Sequence, residues 1–263
     1  MPSVTSQTAA LTAAAFGADV HRWPLPVPAT ATQAWLRAVA AAGQGRYGAA
    51  HADLATVRRT APPSSALLSL AHSTTGSLLR QLGWHIRARR WDGIALRLAG
   101  NHPEARADAL VGLAADALGV GRFGVSATLL DAARTLSGAP PRCSVRLAWV
   151  SAELAMARGD GAGAVGYARA GIEAADATWL RHRTKSEVVL AAALCTAGDL
   201  DAARDVADAA LTAATRHGLV PLQWAVASLL AAVGSTTLTA GQLADTRDRA
   251  AALIAARGGD LRS

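Results

Sequence analysis

The sequence predicts an all-helical chain, an α-solenoid of about six antiparallel helix pairs. Three observations predict it. Glycines recur at Gly45, Gly83, Gly121, Gly159, Gly198 and, more weakly, Gly234, at intervals of 38, 38, 38, 39 and 36 residues. A repeat of about 20–50 residues marks stacked helical units that bury their apolar faces against one another. Small residues keep step with that ladder. Alanine makes up about a quarter of the 263 residues, while β-branched and aromatic residues are sparse, which favours helix over strand.

Residues 1–31 form an N-terminal tail rich in Ala, Thr and Ser that ends in Trp23-Pro24-Leu25-Pro26-Val27-Pro28. Alternating prolines fix φ and remove amide donors, so this end of the tail is extended. The solenoid is expected over 32–263. Pro62-Pro63, Pro103, Pro140-Pro141 and Pro221 fall in or beside the gaps between units, where proline stops one helix and opens the next. The stretches Asp199–Ala214 and Leu243–Ala256 carry an apolar stripe at helical spacing. No stretch alternates with period two over a strand's length.

Seven residues before the turn glycines stand Ala38, Gly76, Ala114, Ala152, Ala191 and Ala227. Five after them stand Ala50, Ala88, Ser126, Ala164, Ala203 and Thr239, and twelve after come Val57, Ala95, Ala133, Gly171, Ala210 and Thr246. Small residues at fixed points let two helix backbones approach closely. Gly45, Tyr47, Ala50, Leu54 and Pro62, together with Gly198-Asp199-Leu200-Asp201-Ala202-Ala203, resemble the tetratricopeptide-repeat (TPR) family and its longer-period bacterial relatives. The resemblance covers about 32–257 and departs from the family in its period and in the second and sixth units. It implies a right-handed superhelix whose first helices line a concave groove. The asparagine-dependent carboxylate clamp of some members is not implied, because Asn101 is the sole asparagine.

The formal net charge is +7, and all of it lies in the first third. Residues 1–91 hold nine Arg against Asp19 and Asp53, and residues 92–263 hold equal numbers of basic and acidic residues. Lys185 is the sole lysine, which fits a GC-rich bacterial genome. No run of about 18 apolar residues predicts a membrane span. The N-terminus lacks the pattern of a secretory signal, so a cytoplasmic address is expected. Cys143 and Cys195 lie on different predicted helices and read as buried, reduced thiols.

Catalytic and cofactor signatures are weak. Gly161-Ala162-Gly163-Ala164-Val165-Gly166 reads G-x-G-x-x-G, but a dinucleotide site needs a strand before that loop. Leu147–Arg158 reads as helix, so the motif is taken as a repeat turn. No metal-ligand spacing, nucleophile elbow or phosphate loop is present, and His182 stands between Arg181 and Arg183. The chain is therefore expected not to be an enzyme and to need no cofactor and no metal.

Two binding surfaces remain. Trp35, Trp149 and Trp224 each precede a turn glycine by ten residues. In the family this resembles, that position faces the groove, which implies a partner surface of Trp35, Arg80, Gln81, Arg146, Trp149, Glu153, Met156, Lys185 and Trp224. Flat anchors with cations suit a peptide or protein partner bearing acidic and apolar residues, bound by a scaffold or adaptor. The alternative is a regulatory or sensor module. In it Arg80, Arg87, Arg89, Arg90 and Arg97, interleaved with Trp84 and Trp91, contact nucleic acid or another polyanion.

Overall fold

The computed structural model describes residues 3–262. Among them it contains thirteen α-helices and no strand. They are α1 (Val4–Phe16), α2 (Ala31–Gly43), α3 (Tyr47–Thr60), α4 (Ala66–Gln81), α5 (His85–Ala99), α6 (Pro103–Leu118), α7 (Phe123–Arg134), α8 (Pro141–Ala157), α9 (Gly161–Ala174), α10 (Leu180–Ala197), α11 (Leu200–Arg216), α12 (Val220–Val233) and α13 (Ala240–Ala256).

The local reasons for these helices are written at their ends. The Thr30, Ser65, Asp160, Asp199 and Thr239 side chains each accept a bond from a backbone amide three residues on, which satisfies one orphan donor of the first turn. Thr239 and Gln242 complete a reciprocal capping box. Proline occupies the opening of α6, α8 and α12, where its missing N–H costs nothing. At Gly198 the chain leaves α10 in the left-handed conformation, φ 85°, ψ 1°, and the Asp199 amide donates to the Leu194 carbonyl at 3.0 Å. That bond closes the helix, and a Cβ at the turn would oppose it.

Four earlier units repeat this turn. Arg46, Trp84, Arg122 and Asp160 each follow a positive-φ glycine and donate to the carbonyl five residues back, at 2.8–3.0 Å. Gly234 also has positive φ, but its ψ is 165°. The chain there runs extended into Ser235 and Thr236, which bond the Asp208 carboxylate, and α13 starts only at Ala240. The small-residue columns are fully buried in the first five units, down to Ala38, Ala114, Ala152, Ala191, Ala50, Ala88, Ala164 and Ala203 at 0 % exposure. In the sixth, Thr239 is an exposed cap.

Sequence neighbours pack side by side, and α2, α4, α6, α8, α10 and α12 each touch the next but one, forming a continuous row. The row returns on itself. Tyr47, fully buried, lies in one apolar cluster with Val220, Ala250 and Ile254 from the far end of the chain. The Gly48 amide donates to the Arg257 carbonyl (2.9 Å), Arg257 Nη1 to the Gln44 carbonyl (2.7 Å), Trp84 Nε1 to the Asp260 carbonyl (2.8 Å), and the Arg262 amide to the Leu82 carbonyl (2.9 Å). First and last units are thus neighbours in space.

The tail holds a helix that composition alone did not mark. α1 lacks an apolar stripe, and tertiary contacts fix it instead: Leu11, Ala14 and Ala15 are buried. Gln33 of α2, itself fully buried, donates from Nε2 to the Val4 carbonyl and to Thr8 Oγ1, each at 3.0 Å. Trp23–Pro28 run without helix, as the alternating prolines require.

Candidate binding cavity

The row of α2, α4, α6, α8, α10 and α12 surrounds a partly open cavity of about 460 Å³, within the range of small-ligand sites. Its apolar wall includes Phe16, Trp35, Trp149, Leu222 and Trp224. Two of the three indoles are set by a neighbour. Trp35 Nε1 donates to Thr74 Oγ1 (3.0 Å), and Trp149 Nε1 donates to Ser186 Oγ (2.7 Å). His182 stacks on Trp149 with ring centroids 5.6 Å apart and 25° between planes, and Phe16 and Trp179 close around the same imidazole. His182 is buried, and its Nδ1 has no hydrogen-bond partner in the chain. Burial, and then the charges of Arg181, Arg142 and Arg146, hold its pKa well below the ordinary value. At neutral pH it is uncharged.

Five permanent cations line the cavity: Arg80, Arg142, Arg146, Arg181 and Lys185. Four are matched. Arg142 bonds Glu104 and Asp108 at 2.6 and 2.7 Å, Arg146 also bonds Asp108, and Lys185 lies 3.4 Å from Glu153. Burial alone would raise Asp108, but Arg146 and Arg142 overcome it and keep that carboxyl below its ordinary pKa. Arg80 bonds both Asp92 and Asp116, the latter at 2.9 Å. Asp92 fits there because Gly76 and Gly112 flank it, and a Cβ at either would collide with its carboxylate.

Arg181 is the exception. Its Nη1 donates to the Val39 carbonyl at 3.1 Å, and no carboxylate among the described residues pairs with it. Its stem lies over Gly43, where a Cβ would come within 2.9 Å of Cδ. Burial and the neighbouring Arg142 and Arg146 push its pKa down to about 10. The guanidinium therefore stays charged at neutral pH without an opposite charge beside it.

The residues singled out in the sequence fall into three places. Trp35, Arg80, Gln81, Arg146, Trp149, Glu153, Lys185 and Trp224 all border the cavity. Met156, in the last turn of α8, does not. It packs with Val165 and Leu190 against the alanine cluster between α8, α9 and α10, because that turn is where α8 meets the next helix. Arg87, Arg89, Arg90 and Arg97 are exposed on α5, with Arg87 lying 4.1 Å over the Trp84 ring. Arg80 is separate from them, buried with its two aspartates.

Asp108, Arg142, Arg181 and His182 also line the cavity, and the sequence did not assign them to the groove. A signal for three of them exists. Asp108, Arg146 and Lys185 stand thirteen residues before their turn glycines, and Glu104, Arg142 and Arg181 stand seventeen before. Extending the register one and two helical turns beyond the tryptophan column finds them. Which cations end up paired is not a register property.

Other candidate chemistry resolves simply. Gly161 opens α9 after a helix, and Asp160 caps it by accepting from the Gly163 amide at 2.8 Å. A Cβ on Gly161 would meet the Ala197 backbone at 2.6 Å, so the motif serves a close helix contact. Cys143 and Cys195 are free thiols, and burial pushes Cys143 up to about 12. Among the described residues no cluster of three His, Cys, Asp or Glu could hold a metal ion. No helix there is long and apolar enough to cross a membrane. Compared with models of known protein families and with curated proteins, the chain matches none.

Proposed function

We propose that this chain is a non-catalytic binding module of bacterial, cytoplasmic type. It is a right-handed, TPR-like superhelix of about six antiparallel helix pairs that serves as scaffold or adaptor. Its concave face holds a partner protein or peptide through a short segment carrying acidic and apolar groups. One observation carries the reading: three tryptophans from separate helices and a set of cations converge on one cavity. Flat, partly buried indoles are the residues that most often dominate a binding interface. The volume of about 460 Å³ admits a few side chains and not a folded domain. The resemblance of the Gly45–Pro62 unit to the TPR pattern supports the same use of the first helices.

Panning a random heptapeptide library on the full chain tests this. The enriched peptides should combine acidic and apolar residues and should bind Trp149→Ala at least tenfold more weakly, the effect of removing one central anchor. Enriched peptides that bind the variant as well as the wild type would take the cavity out of the account.

A second reading rests on α5. Its four exposed arginines make no ion pair among the described residues. As a regulatory or sensor module the chain would use them on nucleic acid or another polyanion, with affinity falling steeply as salt rises. Retention on heparin that is unchanged when all four become glutamine would dismiss it.

A further inference from the structure

The geometry points to a subsite in the cavity for a single negative charge carried on a flat apolar body, with Arg181 as its cation and the Trp149–His182 stack as its platform. This rests on the reading of the cavity as the binding site and names the chemistry of what enters it.

The argument is a local charge balance. Arg142 and Arg146 face Glu104 and Asp108, two cations against two acids. Lys185 faces Glu153. Arg80 faces two aspartates buried side by side, each bonded to the guanidinium, and burial raises both, Asp116 to about 7, so that group holds a proton near neutrality. One positive charge, Arg181, is left over. Burying an unmatched charge is costly, and the fold makes room for it by placing Gly43 under its stem. A ligand anion would supply the missing partner, and one cation in excess suits a monoanion such as a carboxylate.

A second, independent observation lies beside it. His182, next in sequence and also on the cavity wall, is buried with Nδ1 unpartnered, and Ser73 Oγ on the opposite wall is buried and unpartnered too. Buried polar atoms are nearly always hydrogen-bonded. Two such atoms on the wall of a cavity that also holds an arginine without a carboxylate and the half-buried Trp149 ring, with Lys185 Nζ 5.8 Å from its centroid, describe a polar head and a flat tail. The same chemistry arises from a free organic acid or from an acidic side chain flanked by apolar residues in a peptide.

Calorimetry on the full chain distinguishes these sources. The probes are 2-naphthylacetate against 2-naphthylacetamide, and acetyl-Leu-Glu-Phe-amide against its Gln counterpart. In at least one pair the acid should bind tenfold or more tighter than its neutral analogue. Arg181→Met should abolish that preference, and Arg181→Lys should keep part of it. The pair that shows the effect identifies the source. Arg181→Met should melt at or above the wild-type temperature, so loss of folding does not confuse the result. Equal binding of acid and neutral probe, or a preference that survives in Arg181→Met, overturns the anion subsite while the panned peptides still judge the cavity. No binding of any of the four overturns it as well.

Discussion

Two buried charge clusters in this chain look alike in composition and differ in what they face. Around Arg80, one guanidinium meets Asp92 and Asp116 in a space bounded by Gly76 and Gly112. Around Arg181, a guanidinium meets only the Val39 carbonyl, with Arg142 and Arg146 lining the same cavity beside it. The first has more acid than base, closes on itself and ties α4, α5 and α6 together. The second has more base than acid and opens on space. An internal ion cluster with tight walls acts as a fastener, whereas one with an unmatched charge at a cavity wall is suited to binding.

The largest way to break this comparison is to remove each arginine in turn. Arg80→Leu strands two buried carboxyls and should cost about 3–5 kcal/mol in urea unfolding. Arg181→Met strands none and should cost nothing. Similar losses in both would show that the two clusters are equally structural.

A smaller effect separates the tight wall from the open one. Gly112→Ala drives a methyl into Asp92, and despite a helix-propensity gain of up to about 1 kcal/mol the net loss should be roughly 1–3 kcal/mol. Gly43→Ala meets the flexible stem of Arg181, which can swing into the cavity, and should change stability by less than about 1 kcal/mol. Thermal melts of the two variants give the contrast directly. A costlier Gly43→Ala would mean that Arg181 is locked.

The subtlest contrast is in pH. Asp116 titrates near 7 when folded and near 3.8 when unfolded. Its contribution is therefore complete below about pH 4 and is lost as pH rises through 7. His182 runs the other way: its folded pKa is depressed, so its contribution is complete above about 6.5 and is lost as pH falls. Relative to wild type, Asp116→Asn should lose ground progressively as pH drops from 8 to 5, and His182→Phe should gain. A pH-independent difference for Asp116→Asn would mean that both aspartates are ionised in the fold.

Much of the helical organisation was legible because its causes are local. A glycine in the left-handed region and an amide reaching five residues back form the same turn at Gly45, Gly83, Gly121, Gly159 and Gly198, and each turn requires only a few consecutive residues. The alanine columns follow because residues at a fixed distance from a turn meet the same neighbour each time. The convergence of Trp35, Trp149 and Trp224 on one cavity followed from the same register. The sixth unit shows the limit. Gly234 has the right residue, but Asp208, 26 positions earlier, takes the Ser235 hydroxyl and the Thr236 amide, and the turn is different.

What only the tertiary structure decided depends on partners far apart in the chain. α1 has no stripe of its own and is a helix where Gln33 and α2 hold it. The meeting of first and last units rests on contacts such as Trp84 with Asp260 and Gln44 with Arg257, which no repeat pattern encodes. It turns an open groove into a cavity of limited volume. Arginine is one letter in the sequence whether it is Arg80, Arg146 or Arg181. Whether its charge is matched depends on which carboxylate a neighbouring helix brings within about 3 Å, and at Arg181 none is brought. Local periodicity sets where a side chain points, and the electrostatics of a site depend on everything else that points there.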